Sequence, residues 1–252
     1  MHYRSRAIIL KNRDLRDADQ LVSIFSEQEG KITAAARGVK KPRSSLRACV
    51  QPFCHSWLFF NRGRDMDLIT QGKIIDFYGN TREDLQRLLY VMYMMELLDK
   101  SLMEKVPLPE LYLDLLQVLE NINQQGLNPM LIRYFETRLL VNLGYKPVLN
   151  QCVSCGRQDF QAYYFSLGEG GLICQHCLDD VKSVIKLRGE SVGLIRLLAD
   201  GALQTVLRVK ASPESARQIE VFLEGYLEYH LERKFKVKST IRYLKQSVPV
   251  SI

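Results

Sequence analysis

Four cysteines constrain this chain more than any other feature. They stand as Cys152-Val153-Ser154-Cys155 and, after eighteen intervening residues, Cys174-Gln175-His176-Cys177. Two Cys-x-x-Cys pairs at such a separation fit a tetrahedral zinc site. The two-residue gap lets both sulfurs of a pair turn toward one ion. Gly156 follows the first pair and is free to take the positive φ that closes such a turn. Four thiolates leave no position open for water, so the expected ion is structural. His176 lies inside the second pair, but the sulfurs already fill the site and it reads as a surface residue. A disulfide framework is the weaker alternative for a 252-residue chain whose start, Met1-His2-Tyr3-Arg4-Ser5-Arg6, has no apolar signal segment.

The hydrophobic fraction, 46%, is that of an ordinary soluble protein. The longest apolar run, residues 88–95, is too short to span a bilayer, so a cytoplasmic protein without a membrane partner is expected. The net charge of +7 is unevenly spread: residues 1–80 carry 14 Lys/Arg against 8 Asp/Glu. A basic excess gathered at one end points to a polyanionic partner, nucleic acid first.

Within that basic third, short apolar or alternating runs predict strands at 6–12, 21–25, 31–37, 53–60 and 66–77. Ile32, Ala34 and Ala36 would share one face of the third; Phe53, His55, Trp57 and Phe59 would share one face of the fourth. Gly72 would mark a bulge in the fifth. Five short strands with one long connection fit a small Greek-key barrel of the OB type, with an SH3-like barrel as the competing arrangement. The long connection carries the charge: residues 31–47 hold six cations, Lys31, Arg37, Lys40, Lys41, Arg43 and Arg47, and no acid. Its Gly38-Val39-Lys40-Lys41-Pro42-Arg43-Ser44-Ser45 stretch has turn composition, and the tip Arg62-Gly63-Arg64 adds two more cations. These eight residues are the candidate DNA contacts, with Ser44 and Ser45 as phosphate donors. Tyr3, Phe53, Trp57 and Phe59 are possible stacking platforms, although core filling is the preferred reading for Trp57 and Phe59.

Helices are expected from residue 81 onward. Thr81 with Asp84 resembles a capping box before an apolar repeat through Leu102. A second helix follows Pro109 and ends at Gly126, and a third runs from Asn128-Pro129 to Gly144. The stripe of Met92, Met94 and Met95 reads as core rather than a peptide groove. Strands at 160–165 and 172–173 would form a zinc ribbon around the cysteines. Residues 194–199 and 204–209 would be helical turns, and Ser212-Pro213-Glu214 opens a last helix. A basic tail follows, Arg233-Lys234-Phe235-Lys236-Val237-Lys238 with Arg242 and Lys245, read equally as a second DNA patch or as cations complementing a helix end, and residues 247–252 are expected to fray. The resulting class is α+β: an OB domain at 1–80, then a helical domain at 81–252 with an inserted four-cysteine ribbon near residues 150–180. There is no P-loop, no His-Glu-x-x-His and no zinc-deaminase pattern, and His2, His55, His176 and His230 are scattered. No catalytic residues are assigned, and a binding protein is expected rather than an enzyme.

Three stretches together resemble the bacterial DNA repair and recombination protein RecO family. They are Ala7-Ile8-Ile9-Leu10-Lys11 through Gly30-Lys31 to Ala36-Arg37-Gly38-Val39-Lys40-Lys41 with Ser44; Phe135-Glu136-Thr137-Arg138-Leu139-Leu140 with Leu143-Gly144-Tyr145-Lys146-Pro147 leading to Cys152 and Cys155-Gly156; and His230-Leu231-Glu232-Arg233 with Lys238-Ser239. The resemblance implies a non-enzymatic mediator of the RecF pathway that binds single- and double-stranded DNA and anneals complementary strands. It implies work with RecR and with single-stranded DNA-binding protein, whose acidic C-terminal tail would dock in an apolar pocket of the helical domain, and an indirect role in loading RecA. A cytoplasmic, nucleoid-associated location goes with it. The alternative from the residues alone is a zinc-ribbon, OB-fold protein of transcription or translation that binds RNA. A nucleic-acid-processing enzyme would need clustered carboxylates, of which Asp65 and Asp67 are the nearest pair.

Overall fold

A computed structural model describes residues 2–247, with side chains as far as Ile241. The side chains of Arg242 and Lys245, and residues 248–252 of the expected frayed end, lie outside the described residues. Alternation shapes the N-terminal third, in β1 (His2–Asp14), β2 (Gln20–Ser26), β3 (Gly30–Ala36), β4 (His55–Asn61) and β5 (Asp67–Asp76). Ala7, Ile9, Val22, Ile24, Ile32, Ala34, Ala36, Leu58, Phe60 and Ile69 point into one interior. The strands close in the order β1-β2-β3-β5-β4, with β3 and β5 parallel and the other described pairs antiparallel. That Greek-key path is an OB-type barrel, not the SH3-like alternative.

Two expectations about the barrel are corrected. Phe53 precedes β4, and the inward residues of β4 are Ser56, Leu58 and Phe60, while Trp57 and Phe59 face outward and are partly exposed. Residues 57–60 are all apolar, so alternation alone cannot choose a face; the register decides, pairing Trp57 with Arg6 and Phe59 with Arg4 on β1. Gly72 sits in regular register opposite Leu58, and the irregularities of β5 fall at Thr70 and Ile75. Gly72 is needed for close approach instead: a Cβ there would stand 2.9 Å from Cys49 Cβ and 3.2 Å from Leu58 Cδ2.

Three helices follow, α1 (Gly79–Glu83), α2 (Leu85–Ser101) and α3 (Pro109–Gln125). Asp84, not Thr81, caps α2, its carboxylate accepting from Arg87 N at 2.9 Å. Thr81 is buried within α1, and its hydroxyl donates to Asn123 Oδ1 at 3.3 Å. Met94 and Met95 are core residues of α2.

A second compact unit spans Asn128–Lys234. Its centre is α4 (Pro129–Asn142), buried almost all round, as an apolar helix with few charges must be. Asn128 caps it by accepting from Met130 N at 2.9 Å. A buried ion pair on it, Arg133–Glu136, closes at 2.6 Å with side chains 5% and 0% exposed. The chain then forms β6 (Val148–Cys152), β7 (Tyr163–Ser166), β8 (Gly171–Ile173) and β9 (Ile185–Leu187), a sheet in the order β6-β8-β7-β9. The ribbon strand expected from residue 160 therefore begins at Tyr163. Helices α5 (Gly189–Asp200), α6 (Leu203–Val206) and α7 (Pro213–Leu231) complete the unit around α4. Ser212 caps α7, and Phe165 of β7 packs edge-on against Phe222 and Tyr226 of α7.

One further helix was not expected, α8 (Lys236–Ser247). The described residues from Phe235 onward belong with those up to Leu127 in a single compact unit, so the second unit is an insertion in the chain of the first. The barrel-helix boundary at residue 80 follows secondary structure, whereas the compact units divide at Leu127 and Lys234.

Candidate metal centre and nucleic-acid interface

Parallel pairing of β6 with β8 sets Cys152 beside Leu172, so both cysteine pairs emerge at one end of the sheet. The first turn closes through Gly156 N donating to Cys152 O at 2.8 Å; Gly156 has φ 75°. The second closes through Cys177 N donating to Cys174 O at 3.0 Å, inside a short 3-10 turn, Gln175–Asp180. All four sulfurs lie within 4.8 Å of one another, and those of Cys155 and Cys174 are 3.6 Å apart. Tetrahedral zinc with sulfurs at ~2.3 Å needs sulfur–sulfur edges of about 3.8 Å, so the cluster fits one ion. His176 is exposed beside it.

The thiols are already electronically unequal. Burial pushes the Cys152 thiol up, but backbone N–H groups, led by that of Cys174 at 3.3 Å, outweigh it and bring the group down to about 6. Cys177 is pushed up to about 12 by its hydrogen bonds with Cys155 and Cys174. Four adjacent thiolates repel one another; a divalent cation is what allows all of them to ionise together.

The eight candidate DNA contacts do not form one patch. Arg37, Lys40, Lys41, Arg43 and Arg47 lie on the β3–β4 connection, at the end of the β2–β3 hairpin where β2 begins. That connection is a chain of turns, including Lys41 N to Gly38 O at 3.1 Å and Ser44 N to Lys41 O at 3.0 Å. Val39 and Leu46 anchor it in the barrel core, and Asp19 accepts from Gly38 N at 2.7 Å. Its cations therefore project from an ordered base. Arg37, Lys41 and Arg43 are exposed and make no ion pair among the described residues. Lys40 pairs with Asp14 at 2.6 Å, and Arg47 donates to Lys40 O.

Arg62 and Arg64 lie toward the opposite end of that hairpin, where Arg62 pairs with Glu29 of the β2–β3 turn at 2.9 Å. Lys31 is different again. Its side chain is 13% exposed, its ammonium donates to Asp99 O, and the Asp99 and Glu104 carboxylates stand at 3.7 and 4.0 Å. Ser23 also donates to Asp99 at 2.6 Å, Thr33 to Glu104 at 3.2 Å, and Lys105 N to Lys31 O at 2.8 Å. The outer face of β2 and β3 is thus lined with carboxylates from α2 and the segment after it. No sequence signal marks this, because Asp99 lies 68 residues beyond Lys31. Phe53 is no platform either: it is buried, and the Arg82 guanidinium covers its ring at 3.8 Å. Among the described residues no helix is long and apolar enough to cross a membrane.

Two family models match the sequence. One described as "Recombination protein O N terminal" covers residues 1–78, and one described as "Recombination protein O C terminal" covers residues 82–239. A curated relative from Syntrophomonas wolfei, "DNA repair protein RecO", is 58% identical over 99% of both chains. Relatives with the same description from Desulforamulus reducens and Symbiobacterium thermophilum are 34% and 32% identical, covering 97% of this chain and 96% and 98% of their own.

Proposed function

The chain belongs to the RecO family of DNA repair proteins, and from that premise we propose that it is a recombination mediator of the RecF pathway rather than an enzyme. In this reading it binds single- and double-stranded DNA, anneals complementary strands and helps load RecA onto DNA coated with single-stranded DNA-binding protein. The observation that supports it best is an OB-type barrel whose β3–β4 connection projects Arg37, Lys41 and Arg43 without carboxylate partners among the described residues. These cations neutralise phosphates and release counterions from either strand. One strand held on the barrel is then approached by a second with less phosphate repulsion. Lys40, Arg47, Arg62 and Arg64 add to this field, and Lys31 contributes least because Asp99 and Glu104 already screen it.

The barrel within residues 1–80 is the DNA-binding domain in this reading, and residues 81–252 carry the ribbon. Cys152, Cys155, Cys174 and Cys177 hold one structural zinc ion, which when bound supplies a cross-link between the two turns and no chemistry. Partners are RecR and the acidic tail of single-stranded DNA-binding protein, with RecA reached indirectly, in a cytoplasmic, nucleoid-associated setting.

The test is annealing of two complementary strands coated with single-stranded DNA-binding protein, with no nucleotide present. Faster annealing than the coated strands show alone is expected. DNA binding without any acceleration would overturn the mediator reading.

A further inference from the structure

The outer surface of the barrel has two unlike faces. The β2–β3 face is covered by Asp99 and Glu104, as described above. The β1–β4–β5 face is covered at one end, where Tyr112 meets His55, and beyond it carries a different set of side chains, with Arg4, Gln71 and Lys73 exposed. Alternation brings Trp57 and Phe59 of β4 to its centre. Across one side, Arg4 of β1 pairs in register with Phe59, and its guanidinium lies 5.6 Å from the Trp57 ring centroid. Across the other, Lys73 of β5 pairs with Trp57 and Gln71 with Phe59. Arg4, Gln71 and Lys73 are exposed, and neither Arg4 nor Lys73 makes an ion pair among the described residues. Arg6, beside Trp57, is neutralised by Glu27 at 2.7 Å. An open recess lined by His2, Tyr3, Arg4, Phe59, Thr70 and Gln71 continues the surface toward Arg62, whose guanidinium sits 4.9 Å from the Tyr3 ring centroid.

Two outward, partly exposed rings with a cation lacking an ion pair on each side are not explained by the core, which Leu58 and Phe60 fill. The combination suits a ligand with alternating flat apolar rings and negative charge. We propose that the β1–β4–β5 face is the single-strand platform of this protein: bases stack on Trp57 and Phe59 while Arg4 and Lys73 meet the flanking phosphates. This deepens the DNA-binding reading and rests on it. It assigns single-strand recognition to a face away from the carboxylate-lined β2–β3 surface. Duplex DNA, whose bases are stacked internally, engages the β3–β4 cations but not these rings.

Trp57 is the chain's single tryptophan, so its emission reports on this face alone. The experiment titrates the full-length protein with labelled oligothymidylate and with a labelled duplex, reading DNA anisotropy and tryptophan emission together. Oligothymidylate is expected to quench the emission in step with the anisotropy rise, and the duplex to raise anisotropy without quenching. Phe59→Leu, which keeps the apolar bulk that packing needs but has no π face, is expected to weaken oligothymidylate binding roughly tenfold and leave duplex binding within about twofold. Arg4→Gln with Lys73→Gln is expected to lower the single-strand salt slope by about 1.4. Anisotropy change with constant emission and an unaltered Phe59→Leu affinity would overturn this assignment while leaving the DNA-binding reading standing. No anisotropy change with either DNA would overturn the DNA-binding reading and the platform with it. Tighter binding of oligouridylate than oligothymidylate would give the face to RNA and overturn the proposal.

Discussion

Replacing Arg37, Lys41 and Arg43 together by glutamine tests the electrostatic reading most directly. Each phosphate contact contributes about 0.9 to the slope of log affinity against log salt on duplex DNA and about 0.7 on single strands. These three cations have no ion pair among the described residues, so each counts as a full contact. The triple variant should lose about 2.7 from the duplex slope and about 2.1 from the single-strand slope. Across a fourfold rise in salt, the wild-type protein should lose roughly 40-fold more duplex affinity than the variant. Lys40 behaves differently because Asp14 holds it at 2.6 Å. Asp14, whose carboxyl Lys40 keeps below the usual range, already takes the place of a phosphate there. Lys40→Gln should therefore change the slope by less than a full contact, while Asp14→Asn should steepen it. Lys31→Gln should leave the slope nearly unchanged, since Asp99 and Glu104 screen that ammonium. Fluorescence anisotropy of labelled duplex at several salt concentrations measures each slope. A triple variant with the wild-type slope, or a Lys31→Gln slope change as large as that of Lys41→Gln, would refute the reasoning.

Other consequences follow from the buried groups. Chelation, or Cys155→Ser, should remove the metal and the hydrogen-exchange protection of residues 148–187 while duplex binding by the barrel persists; loss of protection in β1–β5 as well would contradict the purely local role. Burial, and then the nearby Arg6 charge, hold His55 at about 4 against an ordinary 6.5, and Tyr112 Oη lies 3.1 Å from its Nε2. The folded protein resists this protonation and the unfolded chain does not, so stability is full above pH 6.5 and falls as pH drops toward 4, by up to about 3 kcal/mol. Urea denaturation at several pH values should show that slope, flattened in His55→Gln, and an unflattened slope would rule His55 out. Glu136→Gln should cost about 3 kcal/mol in the same assay, because it leaves Arg133 charged and buried, 5% exposed, with Glu220 at 3.6 Å. A loss below about 1 kcal/mol would mean the pair is not held as described.

What the sequence made legible was local. Two residues separate the cysteines of each pair, and two Cys-x-x-Cys turns on adjacent strands need little else to converge. The barrel strands showed through alternation wherever polar and apolar residues took turns, as at Ile32, Ala34 and Ala36. It failed at residues 57–60, where Trp, Leu, Phe and Phe offer two equally apolar faces. The deciding partners, Arg4 and Arg6, lie more than fifty residues earlier and cannot face a core without losing their hydration. Lys31 misled for the same reason: a basic run scored on neighbours in sequence omits the carboxylates that fold onto it.

The end of the chain shows how far this effect reaches. Arg233-Lys234-Phe235-Lys236-Val237-Lys238 has the composition of a solvated tail, and neither reading of it anticipated a helix. What makes α8 start is Glu96 of α2, whose carboxylate accepts from Lys236 N at 3.1 Å and Val237 N at 2.9 Å, supplying a distant cap at the positive end of the helix. Burial pushes that carboxyl up, but Lys100 and the two amides outweigh it and hold it below its ordinary range. Phe235 packs edge-on to Tyr93 with ring centroids 6.2 Å apart, and Lys238 is buried with its ammonium 3.4 Å from Tyr93 Oη. The basic run is therefore divided by its surroundings. Arg233, Lys234 and Lys236 remain exposed, while Lys238 is spent on seating the helix against α2. A Lys238 substitution should therefore act on the seating of α8 before it acts on any nucleic acid. Charge counted along a chain measures what a segment can offer; which of those charges reach a partner is settled by the elements that fold against it.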